Sequence, residues 1–166
     1  MRQGLVALSE SESIRHAARR FLRGRFLCRP DMTEDQAQGA LLNFIYSLES
    51  LILGGEDEAV SYKIRSRTAW MASIDDQERM KVLKFVKFAY DARSGIVHRD
   101  RKKKKKNGPQ IDLPALVEIC RRAIGAAILL GLRMDDEFVR TLLISRMNQD
   151  AVLRAARTIR SLTNSA

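Results

Sequence analysis

The sequence predicts an all-α protein: an up-down bundle of four core helices, with an extra helix before it and a helical hairpin after it. Three observations predict this. Apolar residues recur at helical spacing through most of the 166 residues, while β-branched runs and strict alternation are scarce. The three prolines, Pro30, Pro109 and Pro114, bracket the periodic segments and do not interrupt them. Hydrophobic residues make up 45% of the chain, enough for one packed core and against wholesale disorder. The chain divides into a basic helical extension (1–30), a four-helix core (31–133) carrying a basic loop (99–110), and a hairpin (134–166).

The elements follow in order. Residues 9–26 form a basic helix capped by Ser9 or Ser11, with Ile14, Ala17, Ala18, Phe21 and Leu22 as an apolar stripe between arginines. It reads as a helix docked on the domain, as an RNA-contacting arm, or as the tail of a larger protein. Thr33 and Gln36 fit a capping box opening the first core helix, whose stripe is Ala37, Leu41, Phe44, Ile45, Leu48, Leu51 and Ile52; Gly54-Gly55 stop it after Leu53. The second core helix spans 56–72, with Val60, Ile64, Arg67 and Met71 along one side. Ser73 caps the third, with Asp75, Asp76 and Glu78 toward the positive end of its dipole, and the helix runs to about Val97. The fourth spans 113–132, with Leu116, Ile119, Cys120, Ala123, Ala127 and Leu130 inward and small residues allowing close packing. Residues 135–147 and 149–162 complete a hairpin turning near Asn148. There Arg154, Arg157 and Arg160 make a basic stripe, read as a solvated face.

The net charge is +10 and uneven: residues 1–30 hold seven arginines against Glu10 and Glu12, and Arg101, Lys102, Lys103, Lys104, Lys105 and Lys106 are continuous. Such a balance favours a polyanion, nucleic acid before anionic membrane. The lysine run lacks an aromatic to stack bases, so affinity from it is sequence-blind and salt-sensitive. Cys28 and Cys120 share no metal-ligand spacing with His16 or His98 and read as reduced thiols. No Gly-rich phosphate loop, helix-turn-helix signature or internal repeat is present. The N-terminus lacks a signal-peptide apolar region, and residues 123–132 are too short to span a bilayer. A soluble, cytoplasmic chain without a cofactor or metal is expected.

On a regular third core helix, Val82, Phe85, Val86, Ala89 and Ile96 share one face and Lys84, Lys87, Asp91 and Ser94 the other; Arg93 lands on the apolar face. A guanidinium is rarely left there without partners, so a carboxylate meets it, or that face lines a cleft or a subunit seam. Glu49, at the edge of the first core stripe, is the candidate partner for Arg93 or Arg67, itself a cation on an inward line. His98 lies four intervening residues beyond Arg93 and beside the bases.

Three segments carry a resemblance: Leu48-Glu49-Ser50-Leu51, Lys63-Ile64-Arg65-Ser66-Arg67-Thr68-Ala69 and Tyr90-Asp91-Ala92-Arg93-Ser94-Gly95-Ile96-Val97-His98. With them the chain resembles a HEPN domain, most closely the Apea-like branch, over about residues 32–133. It departs where the family usually has glycine after the histidine, since Arg99 stands there, and where a tyrosine two places on serves neutralisation by nucleotide transfer, since Asp100 stands there. The resemblance implies an HEPN-like bundle, a symmetric homodimer with the site at its seam, and an R-x4-H pair, Arg93 and His98, that cleaves RNA. Glu49, Arg67 and Ser94 would support it, and Arg99 with residues 101–106 would hold RNA.

The chemistry agrees. The ribose 2′-hydroxyl is an internal nucleophile, so the protein needs a base, an acid and positive charge on the transition state. One Arg and one His are too few; two chains supply two of each. The function that the resemblance implies is metal-independent endoribonuclease action on single-stranded RNA, in toxin–antitoxin or antiviral defence, with an antitoxin or a fused or neighbouring defence protein as further partner. The alternatives are a non-catalytic HEPN module that dimerises and binds RNA or a protein, and a plain helical adaptor.

Overall fold

The computed structural model describes residues 11–53, 56–97, 111–131 and 136–164. Among these the chain is all-helical, with no strand. Ser11 caps α1 (Glu12–Leu27) by accepting from the Ile14 N–H. The buried line of α1 runs through Ile14, Ala17 and Gly24, with Phe21 half-buried. Leu22, expected on that stripe, is instead 64% exposed. The inward repeat of three and four residues passes through Phe21 and Gly24 and leaves Leu22 one residue, about 100°, off the line. Gly24 sets the approach: a Cβ there would stand 2.6 Å from Cε1 of Phe44. Helix α1 can therefore lie directly on α2.

Helix α2 (Glu34–Ile52) opens with the predicted capping box, in which Thr33 and Gln36 satisfy each other's backbone N–H groups. It supplies the centre of the core: Phe44, Ile45 and Leu48 are wholly buried. Full burial of each such side chain contributes about 1.5–3 kcal/mol. The glycine pair expected to stop it lies outside the described residues.

Helix α3 (Val60–Ala72) begins four residues later than predicted. Glu56 is drawn away to bind Arg67 and Lys63, and Ala59 turns through the left-handed region at φ 50° before the helix starts. At its other end Ser73 is extended and buried, with its Oγ unpartnered. It does not cap α4 (Asp76–Val97) as predicted. Asp75 does: its Oδ1 accepts from the Glu78 N–H at 2.7 Å, while Glu78 Oε2 accepts from the Ile74 N–H at 3.0 Å. Proximity decides this, because Asp75 immediately precedes the first turn.

Helix α5 (Leu113–Leu130) is capped by Asp112, carries Pro114 in its first turn, and ends at Gly131 in a positive-φ conformation. Two short connections from the predicted hairpin differ. Helix α6 (Asp136–Thr141) is only six residues long, and the chain turns at 142–145. Ser145 starts α7 (Arg146–Asn164) by accepting from the Asn148 N–H, so Asn148 sits in its first turn and not at the bend. The Asn148 side-chain amide donates to Thr141 Oγ1 at 2.9 Å, which ties the two helices together.

Helices α2, α3, α4 and α5 form the bundle, with α1 against α2 and α5, and α7 against α5 and α3. The small residues of α5 serve as expected: a Cβ on Gly125 would stand 2.7 Å from Cδ1 of Ile159. Glu78 then ties α4 to the last helices, binding Arg122 of α5 at 2.6 Å and also Arg160 of α7. Burial opposes the charge of Glu78, but the Ile74 N–H and the two arginines outweigh it and hold its pKa below the ordinary value. Arg160 is thus an anchor, while Arg154 and Arg157 of the same stripe are exposed. Both cysteines are free, and burial pushes the Cys120 thiol well up. Among the described residues no helix is long and apolar enough to cross a membrane.

Candidate functional site

The inward position of Arg93 is resolved within one chain. Its Nη2 lies 3.5 Å from Oε1 of Glu49, across the seam between α4 and α2. Both side chains are mostly covered, at 17% and 18% exposure. Two rings complete the surround: the guanidinium carbon stands 5.1 Å from the centre of Tyr46 and 5.6 Å from that of Tyr90. The helical repeat builds this cluster. Tyr46 and Glu49 are three apart on α2, and Tyr90 and Arg93 three apart on α4, so each pair shares a face.

The arrangement is incompletely satisfied. The Arg93–Glu49 approach is an ion pair without a close hydrogen bond, and Arg93 Nε is buried with no partner. Burial raises the Glu49 pKa, and the charge of Arg93 only partly counters it. Burial, and then the Glu49 charge, raise that of Tyr90. A planar cation with unused donors, backed by aromatic faces, is suited to the oxygens of a phosphate.

Arg67 belongs elsewhere. It is 2% exposed, donates to the Ile52 carbonyl and to Glu56 at 2.9 Å each, and reaches the Arg140 carbonyl at 3.4 Å. It fastens the end of α2 to α3 and α6 and is not brought to Arg93 or Glu49. The hydrogen bond from Lys63, opposed by burial and joined by Arg67, holds the Glu56 carboxyl below the ordinary value. Ser94 is half-buried, next to Arg93 on α4. His98, Arg99 and residues 101–106 lie outside the described residues; in sequence His98 directly follows Val97, the last residue of α4. Among the described residues no group of three or more His, Cys, Asp or Glu is placed to hold a metal ion.

The sequence reading did not include Tyr46, Tyr90 or Arg20 in the site. The guanidinium carbon of Arg20, on α1, stands 5.5 Å from the centre of the same Tyr46 ring that Arg93 faces. The three-residue spacings to Glu49 and Arg93 could have found the tyrosines. Arg20 needed the seating of α1 on α2. No family model, curated protein or solved structure matches the chain.

Proposed function

We propose that this chain is a metal-independent endoribonuclease of the HEPN type, acting on single-stranded RNA in toxin–antitoxin or antiviral defence. The observation that carries the reading is Arg93: a largely covered guanidinium on the inner face of α4, held loosely by Glu49, with a buried donor unused. The R-x4-H spacing to His98 and the adjoining basic run supply the rest. Arg93 binds the scissile phosphate and stabilises the charge that develops on it. The imidazole of His98, near a reference pKa of ~6.5, takes the 2′-hydroxyl proton or gives one to the leaving 5′-oxygen. Attack by the 2′-oxygen on phosphorus breaks the bond to the 5′-oxygen and leaves a 2′,3′-cyclic phosphate and a 5′-hydroxyl. A homodimer brings a second Arg93 and His98, so that one histidine serves as base and the other as acid. Glu49, Tyr46 and Tyr90 position Arg93, and the protein works in the cytoplasm.

The test is cleavage of single-stranded RNA by purified protein in the presence of a chelator. Wild type is expected to cut, and Arg93→Ala and His98→Ala to lose cutting with unchanged helical circular dichroism. Cutting that survives both substitutions equally contradicts the reading. The second reading, a non-catalytic HEPN module that dimerises and binds RNA or a protein, is favoured by Arg99, where the family usually has glycine. It predicts RNA binding without cleavage and no growth defect on expression.

A further inference from the structure

Helix α1 brings a second cation to the Arg93 cluster. Gly24 lets α1 settle onto Phe44 of α2, and Ser47 of α2 donates from its hydroxyl to the Ala17 carbonyl at 2.7 Å, buried between the two helices. This fixes the middle of α1 against the stretch of α2 that carries Tyr46 and Glu49. Arg20, three residues beyond Ala17, is exposed and stands 5.5 Å from the Tyr46 ring centre, while Arg93 stands 5.1 Å from the same centre. The two guanidinium carbons are thus no farther apart than the sum of those distances. Among the described residues Arg20 has no carboxylate within ion-pair distance, and Arg93 has only Glu49. Glu49, the carboxylate paired with Arg93, is disfavoured in its charged form by burial, and Arg20 brings a second permanent cation to the same Tyr46 ring. The cluster carries surplus positive charge and spare donors, and an anion completes it.

We infer that Arg20 and Arg93, both gathered at the Tyr46 ring, form a two-arginine phosphate clamp, with the N-terminal basic helix as part of the RNA-binding surface. Arg20 grips a backbone phosphate at or next to the one Arg93 holds. Arg23 and Arg19 continue exposed along α1, extending the same positive track. The clamp reads phosphates and not bases. The inference rests on the RNA reading above, but it concerns binding, which is measurable without cleavage.

The experiment uses the full-length chain and a single-stranded 2′-O-methyl oligonucleotide, which has no free 2′-hydroxyl and cannot be cut. Binding is followed by fluorescence anisotropy across a salt series. Each phosphate contact contributes about 0.7 to the slope of log affinity against log salt for a single strand. Arg20→Ala and Arg93→Ala are each expected to weaken binding several-fold at fixed salt and to lower that slope by about 0.7. Arg20→Lys should keep the slope. Arg25→Ala removes the same charge about 140° round α1, and should leave the slope unchanged. Wild-type affinity and slope in Arg20→Ala overturn the clamp even if wild type cleaves RNA. Equal losses in Arg20→Ala and Arg25→Ala overturn it too, since only bulk charge would then matter. The expected pattern in a protein that fails to cleave unmodified RNA supports the clamp and ends the nuclease reading alone.

Discussion

Glu49 on α2 meets Arg93 on α4 at 3.5 Å, and this contact lets a permanent cation occupy an otherwise apolar helix face. The pairing accommodates Arg93 within one chain, so a subunit seam is not required to explain its position. It is also a compromised pair, because burial opposes the carboxylate more than Arg93 favours it.

That imbalance predicts a pH dependence. The native pKa of Glu49 lies above its unfolded value, so the native state holds the proton more tightly. The stability this group contributes is fully present below the unfolded pKa and is lost as pH rises through the raised native pKa. Glu49→Gln should therefore gain on wild type, in urea unfolding free energy, as pH goes from 4 to 7. Wild type gaining on the variant over that range would show that the ion pair outweighs its desolvation.

Arg67 should behave as a structural cation. Arg67→Met takes the Arg67 donors from the Ile52 and Arg140 carbonyls and from Glu56, which keeps only its Lys63 contact. A loss of about 1–3 kcal/mol is expected in chemical denaturation, the range for leaving a buried hydrogen-bonding group unsatisfied. A variant as stable as wild type would return Arg67 to the functional candidates.

Two glycine substitutions should carry opposite signs. Gly24→Ala drives a methyl into the Phe44 ring, and the overpacking cost of about 1–3 kcal/mol exceeds the gain of up to about 1 kcal/mol in helix propensity. Gly95→Ala meets nothing within 4 Å on α4 and should stabilise by about 0.5–1 kcal/mol. Thermal unfolding of the two variants checks both; a stabilised Gly24→Ala would mean α1 is not seated as described.

The proposed dimer predicts that an inactive subunit poisons an active one. His98→Ala chains, mixed with wild type and allowed to exchange subunits, should lower cleavage below that of wild type alone, because a mixed dimer holds one histidine where the reaction uses two. Unchanged cleavage, with a strictly monomeric sedimentation profile, contradicts a shared site.

Much of the helical architecture was legible because burial repeats leave a direct trace. Phe44, Ile45, Leu48 and Leu51 fall on one line in sequence and in space. The inward Arg93 was legible for the same reason, the Thr33 box from its local motif, and Glu49 as a partner for either Arg93 or Arg67. Less legible were choices between nearby hydrogen-bonding groups. Asp75 displaced Ser73 as the α4 cap, and Ser145 moved the last bend away from Asn148. Arg67 and Arg93 look alike on a helical wheel. Only tertiary placement gives one to Glu56 and the other to Glu49. The Arg20–Tyr46–Arg93 grouping was not legible, because it depends on how closely α1 approaches α2.

In the proposed reaction Arg93 and His98 direct the ribose 2′-oxygen onto its own phosphate. The most direct measurement is mass spectrometry of the ends left on single-stranded RNA cut in chelator, with a 2′-O-methyl strand and the His98→Ala protein alongside. The expected result is 2′,3′-cyclic phosphate and 5′-hydroxyl ends, an intact 2′-O-methyl strand, and no cutting by His98→Ala. Ends bearing 3′-hydroxyl and 5′-phosphate, or the same fragments from His98→Ala, would contradict it.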